Sequence, residues 1–133
     1  MAENRVVKRD DLIYPELCYQ TVGVLFEVYN ELGFGYLEKY YQNAIAESFK
    51  LIHLPFREQV PFEIKFKGKP VGKFFLDFVV DNKIVLEIKK TKYFSKKHIE
   101  QVYQYLRVSG LKLGIIANFT PNGVKFKRIV NVN

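Results

Sequence analysis

A single cysteine, Cys18, is all that the sequence offers for cross-linking or sulfur ligation. An internal disulfide is therefore impossible, and so is a cysteine-built zinc or iron–sulfur centre. Long apolar runs are also missing. Phe74 to Leu76 and Ile84 to Leu86 fall far short of the ~20 residues that a membrane-spanning helix needs. The opening Met-Ala-Glu-Asn-Arg lacks the apolar stretch of a secretory signal, so a cytoplasmic location with no membrane contact is expected. The chain shows no internal repeat, linker or low-complexity segment. Neither of its two histidines has a partner at metal-binding spacing: His53 reads as a loop residue and His98 as solvent-exposed. No zinc-finger, helix-turn-helix or RNA-recognition signature is present, which leaves sequence-specific readout without support.

What is present is an ordinary globular composition. The 133 residues are 48% hydrophobic and 26% charged, enough for one domain (residues 1–133) with one core, its first eleven residues forming a loose terminus. Lys and Arg number 21 against 14 Asp and Glu, a net charge of +7 that favours a polyanionic partner and steers it from a distance. The 12 Phe and 9 Tyr also provide material for a self-association surface, and a homodimer is compatible with them.

Apolar residues recur at helical spacing from about Tyr14 to Leu32, with Pro15 in the first turn and Gly33 as a C-terminal cap. A second helix is expected from about Leu37 to Ile52. After Pro55 the period becomes two: Val60 to Phe66 alternates as a half-exposed strand, and Lys67 to Pro70 is a turn. Val71 to Val80 and Lys83 to Lys89 read as two further strands. Ser95 is a candidate N-cap for a helix that ends at Gly110. Leu111 to Asn118 reads as a buried strand, and the tail from Val124 to Val132 as one more. The helix before Leu111 has crossover length, so strands 83–89 and 111–118 should run parallel. The fold class is α/β with a mixed sheet.

Two acids have surroundings unsuited to a solvated charge. Asp77 interrupts Phe74 to Val80, and Glu87 interrupts Ile84 to Ile88. Strands that are apolar on both faces are normally buried, where an ionised carboxylate is unfavourable unless paired or metal-bound. Lys89 lies two residues beyond Glu87 and shares its face. Register decides whether Asp77 joins them. A two-residue loop at Asp81-Asn82 would set Asp77 opposite Leu86. A three-residue loop, Asp81 to Lys83, pairs Val80 with Ile84 and Asp77 with Glu87, and requires a positive φ at Asn82 or Lys83. The three-residue form, or an equivalent bulge, is expected. It brings together an oxygen-ligand pair suited to Mg²⁺ or Mn²⁺, which can activate water and offset charge on a phosphoryl oxygen. Lys89 is assigned to orienting that water or stabilising the phosphate. A structural salt-bridge cluster would present the same pattern.

Asp77, then Glu87-Ile88-Lys89 ten residues on, resembles the D…ExK signature of the PD-(D/E)XK nuclease superfamily. Gly35-Tyr36-Leu37-Glu38-Lys39-Tyr40-Tyr41 resembles the motif of the GxxExxY proteins assigned to that superfamily. The likeness continues through Gln59-Val60-Pro61 and Gln101 to Gly110, covering about Leu12 to Asn118. It implies a restriction-endonuclease-like αβββαβ core with the site at the central hairpin. It also implies a divalent-metal-dependent nuclease acting on DNA or RNA, with Glu38, Asp77 and Glu87 as metal ligands, Lys89 as the catalytic lysine, and Gln101 near the scissile phosphate. Glu38 and Tyr41 share a helix face, so Tyr41 is either core or a support for Glu38; an acid in a first helical turn is also favoured by the helix dipole alone. Tyr105 lies one turn beyond Gln101. Where relatives continue with a small or apolar residue after the lysine, this chain has Lys90, Lys92, Tyr93, Lys96 and Lys97, which suit phosphate contact and base stacking. A solvated loop is the plain alternative. Two rival readings keep the fold without the chemistry: a non-catalytic nucleic-acid-binding module, and an assembly domain whose acids are structural.

Overall fold

The computed structural model describes residues 13–131; the expected loose terminus, 1–11, and Val132 lie outside them. Two helices come first, α1 (Pro15–Leu32) and α2 (Glu38–Leu51), followed by β1 (Phe56–Phe66), β2 (Lys69–Val80) and β3 (Ile84–Lys89). Then follow α3 (Lys96–Ser109), β4 (Leu113–Thr120) and β5 (Gly123–Val130). The five strands form one sheet in the order β1-β2-β3-β4-β5. β3 and β4 pair in parallel, as the crossover length of α3 requires, and the remaining pairs are antiparallel. No helix among the described residues is long and apolar enough to cross a membrane.

Helix ends follow local chemistry. Pro15 opens α1, where its missing N–H has no partner to lose, and Gly33 closes it at φ 73°. Ser95 caps α3 by accepting the His98 N–H, and Gly110 ends it in the left-handed region at φ 81°. The sheet separates two cores. α1 and α2 place Leu25, Val28, Tyr41, Ile45 and Phe49 against Phe78, Val80, Leu86, Ile115 and Phe119. On the opposite face α3 places Val102 and Leu106 against Val79, Val85, Ile116 and Ile129. β3 and β4 are apolar on both faces because both faces are covered.

α3 meets the sheet at Gly114. A Cβ there would stand 2.5 Å from Val102 Cγ1, and Val102 is buried and β-branched, with no free rotamer to retreat into. Gly114→Ala is expected to destabilise the fold by about 1–3 kcal/mol, read from urea denaturation. Unchanged stability would show that α3 is not seated this closely.

The Val80↔Ile84 pairing is observed, with Asp81 to Lys83 as a three-residue loop. Positive φ falls on Asp81 (50°) and Asn82 (54°), so Asn82 has the expected role and Asp81 shares it in place of Lys83. β1 starts four residues before the alternating pattern at Val60. The cause is a change of phase. Phe56 packs in the α1–α2 core, whereas Val60 packs in the α3 core, and Gln59 between them has φ 49°. β2 changes face at the same level: Phe74 and Leu76 belong to the α3 core, Phe78 and Val80 to the other. The ladder steps from Glu58↔Phe78 to Val60↔Leu76, passing over Gln59 and Asp77. Asp77 therefore sits where β2 rotates by half a turn.

Candidate active site

Beyond Phe78↔Leu86 the β2–β3 ladder stops, although both strands continue. The carboxylates occupy the gap. The Asp77 N–H donates to Glu87 Oε1 at 2.7 Å, and the Ile88 N–H donates to Asp77 Oδ2 at 2.7 Å. Each acid thus satisfies a main-chain donor that a regular ladder would have paired. Asp77 and Glu87 are only 8% and 7% exposed, so these bonds are held away from solvent. Lys89, the last residue of β3, places Nζ 3.9 Å from Glu87 Oε2. The expected constellation of Asp77, Glu87 and Lys89 is brought together.

Glu38 opens α2 and accepts the Lys90 N–H at 2.9 Å, which ties the helix start to the end of β3. Tyr41 does not bond Glu38. Its buried hydroxyl donates to the Gly33 carbonyl at 2.6 Å and accepts the Tyr36 N–H at 3.3 Å, while its ring packs on Phe119. Tyr41 therefore fixes the loop before α2, and with it the place from which Glu38 starts. Gly35 lies in that loop at φ 119°, a backbone state that side-chain-bearing residues avoid.

The electrostatics of the acid pair are dominated by burial. Desolvation raises Asp77 above the ordinary carboxyl range, with Glu38 adding to it; the bond from Ile88, the Lys89 charge and a side-chain hydrogen bond from Gln59 oppose the rise. Burial and then the neighbouring Asp77 push Glu87 up to about 8. Two carboxylates this close are poor neighbours as bare anions and suit a cation between them. Among the described residues no three His, Cys, Asp or Glu close on one point, so the donor set is not that of a closed zinc cage. A pair of carboxylates beside an acidic helix start fits a hard divalent cation that keeps much of its water shell.

Other expected residues spread outward. Gln101 is half-buried on α3, one turn before Tyr105, whose ring packs on Phe62 rather than on the acids. Lys90 lies over the Phe34 ring at 5.2 Å. Lys92, Tyr93, Lys96 and Lys97 are exposed around the connection from β3 to α3, with Tyr93 82% exposed. His98 is half-buried rather than solvent-exposed, and its pKa is lowered by burial, then by Lys89. His53 is an exposed turn residue, as expected.

The sequence assigns no role to two residues beside the acids. Gln59 reaches Asp77 from β1 and lines a polar cleft of about 600 Å³ with Glu38, Lys39, Gln42, Asn43 and Glu58. Only the Gln-Val-Pro match marked it. Asn118 pairs with Lys89 across the parallel ladder and is buried, with no hydrogen-bond partner for Nδ2 among the described residues. Its signal was available: a polar residue ending an apolar strand parallel to the one that carries Glu87 and Lys89.

A family model described as the PD-(D/E)XK nuclease superfamily matches residues 15–129, and the chain belongs to that superfamily. The crystal structure of SSO0001 is similar in fold, with a TM-score of 0.53 and 21% identity over 92% of this chain. The chain spans 60% of that protein's length. A search of curated proteins gives no match.

Proposed function

We propose that the protein is a Mg²⁺- or Mn²⁺-dependent nuclease that hydrolyses nucleic-acid phosphodiesters, built as one nuclease-like domain and acting in the cytoplasm. Superfamily membership supports nuclease chemistry in general, with a nucleic-acid substrate and a divalent metal. The observation that carries the specific reading is the reciprocal Asp77–Glu87 arrangement with Lys89 beside it. Gly35, Glu38 and Tyr41 support placement among the GxxExxY proteins, because each has a physical part in holding the start of α2 against the end of β3.

In this reading Asp77 and Glu87 hold the cation. One oxygen of each accepts a main-chain N–H, so it is the second oxygen of each carboxylate that would be offered to the cation. Glu38, which does not close on one point with the two acids and accepts the Lys90 N–H, would add negative charge from the helix start and reach the cation through water. A bound divalent cation supplies Lewis acidity toward the phosphoryl oxygen and acidifies water. Lys89, with its ammonium 3.9 Å from Glu87 Oε2, presents it to the phosphate or to the attacking water. Gln101 supports the substrate from α3, Tyr105 being packed on Phe62 instead, and Lys90, Lys92, Tyr93, Lys96 and Lys97 contact the adjoining strand.

The test is a panel of single- and double-stranded DNA and RNA, incubated with Mg²⁺, Mn²⁺ or EDTA. Metal-dependent cleavage that is lost in Asp77→Ala is the expected result. Metal-independent binding without cleavage, unchanged in Glu87→Gln, would assign the fold to a binding module instead.

A further inference from the structure

The charge of the molecule is not spread evenly. From Ile64 to Lys73 there are four lysines (Lys65, Lys67, Lys69 and Lys73) and no acid. From Lys89 to Lys97 there are five lysines and no acid. These two segments hold nine of the 21 cations, leaving 12 against 14 acids, so the rest of the chain is net −2 and the whole excess lies in the two segments.

The second segment follows Glu87 directly. The first is carried by β1 and β2 where they leave the sheet. β2 pairs with β3 only from Phe78 to Val80, while its pairing with β1 continues to Phe66↔Lys69. Because β2 and β3 are antiparallel, this two-stranded ribbon extends past the acid pair, beyond the C-terminal end of β3. Eight residues separate Asp77 from Lys69, a reach of ~26 Å at the usual strand rise. Lys67 (φ 50°) and Gly68 (φ 82°) close the ribbon in a tight turn, and the register shifts at Ile64/Lys65. All four lysines are exposed. Lys67 lies over the Phe66 ring at 5.3 Å and Lys73 over the Phe75 ring at 5.4 Å, so the aromatic faces hold ammonium groups rather than standing open for bases. Lys65 and Lys73 also border a groove of about 650 Å³ between the ribbon and α3.

We propose that the β1–β2 ribbon is a sequence-independent grip on the phosphate backbone of a nucleic acid that runs on past the cleavage site. It rests on the nuclease reading for its substrate class and extends the footprint by the length of the ribbon. Its charge is opposite to that of the backbone: two of its four lysines, Lys67 and Lys73, are held over phenylalanine rings, and its one acid near the turn, Glu63, stands across the ladder from Lys73. The competing explanation is that these lysines guard two open strand edges against self-association.

The experiment compares the full chain with two variants of equal net charge. One carries Lys65→Gln, Lys67→Gln, Lys69→Gln and Lys73→Gln. The control carries Lys50→Gln, Lys83→Gln, Lys112→Gln and Lys127→Gln, all exposed and outside both lysine-rich segments. Binding to a 24-base-pair duplex and to a 24-nucleotide single strand is read by fluorescence anisotropy in EDTA, so cleavage is not required. The ribbon variant is expected to bind roughly tenfold or more weakly, and its salt dependence on the duplex to fall by about 3.6 in log–log slope for four phosphate contacts. The control should lose much less. Hydrolysis of bis(p-nitrophenyl) phosphate with Mn²⁺, a substrate too small to reach the ribbon, should be unchanged in the ribbon variant, which checks that the site is intact. Equal losses in both variants, or no binding by the wild type, would overturn the proposal. So would unchanged binding together with a new dimer or aggregate, which assigns the lysines to edge protection. Ribbon-dependent binding without any cleavage would instead sink the nuclease reading and leave the grip standing.

Discussion

Lys89→Ala is expected to lower the rate of metal-dependent cleavage by about 10²–10³-fold, the usual loss when one donor to developing transition-state charge is removed. Lys89 stands at the end of β3 with its ammonium 3.9 Å from Glu87 Oε2, close enough to share the site and too far for a tight ion pair. Its removal takes one positive charge away from a cation site, so Mn²⁺ affinity should stay level or rise while kcat falls. That opposite movement separates a catalytic group from a structural one. A structural lysine would lower stability and leave kcat within about twofold, and that outcome would contradict the assignment. Lys89→Arg keeps the charge but not the compact ammonium, and is expected to restore only part of the rate.

The second large effect is on stability. Glu87 is pushed up to about 8 by burial and by Asp77, and Asp77 is raised by burial with Glu38 adding to it. Lys89 opposes both shifts, and His98, lowered by burial, binds fewer protons folded than unfolded and so contributes with the opposite sign. In the metal-free protein the folded state therefore keeps protons that the unfolded chain releases, between the ordinary Glu value of 4.5 and about 8. The state that binds more protons in this window is the folded one, so metal-free stability should fall as pH rises from about 5 to 8. A divalent cation favours the ionised pair, so the gain in Tm on adding Mn²⁺ should be small near pH 5 and grow toward pH 8. Glu87→Gln should flatten the metal-free pH dependence and remove most of the Mn²⁺ gain. A metal-free Tm that rises over this range would contradict the buried-acid account.

The sequence made the acid pair legible because burial and charge conflict there in a way that only pairing or a cation relieves. Asp77 and Glu87 each break a run apolar on both faces, and two-residue periodicity ties Lys89 to Glu87 without further information. The loop register followed from the same reasoning, since only Val80 opposite Ile84 sets the two acids together. What stayed hidden depends on backbone states that residue type does not announce. Gln59 at φ 49° turns β1 over, so Phe56 to Glu58 break the alternation that marks the rest of the strand. Tyr41 is placed by its motif, but its partners, the Gly33 carbonyl and the Tyr36 N–H, belong to an irregular loop. The ribbon was visible as strand and turn. Its departure from the sheet was not, because that depends on where β3 stops pairing.

The most direct test of the account is a calorimetric titration with Mn²⁺ near pH 7.5, comparing the wild type with Asp77→Asn. The variant keeps the size of the side chain and an oxygen to accept the Ile88 N–H, and removes the charge. Saturable binding by the wild type that is lost or weakened at least about tenfold in Asp77→Asn is the expected result, a difference of about 1.4 kcal/mol or more. Equal binding by both proteins, or none by the wild type, would contradict the claim that Asp77 and Glu87 form a cation site.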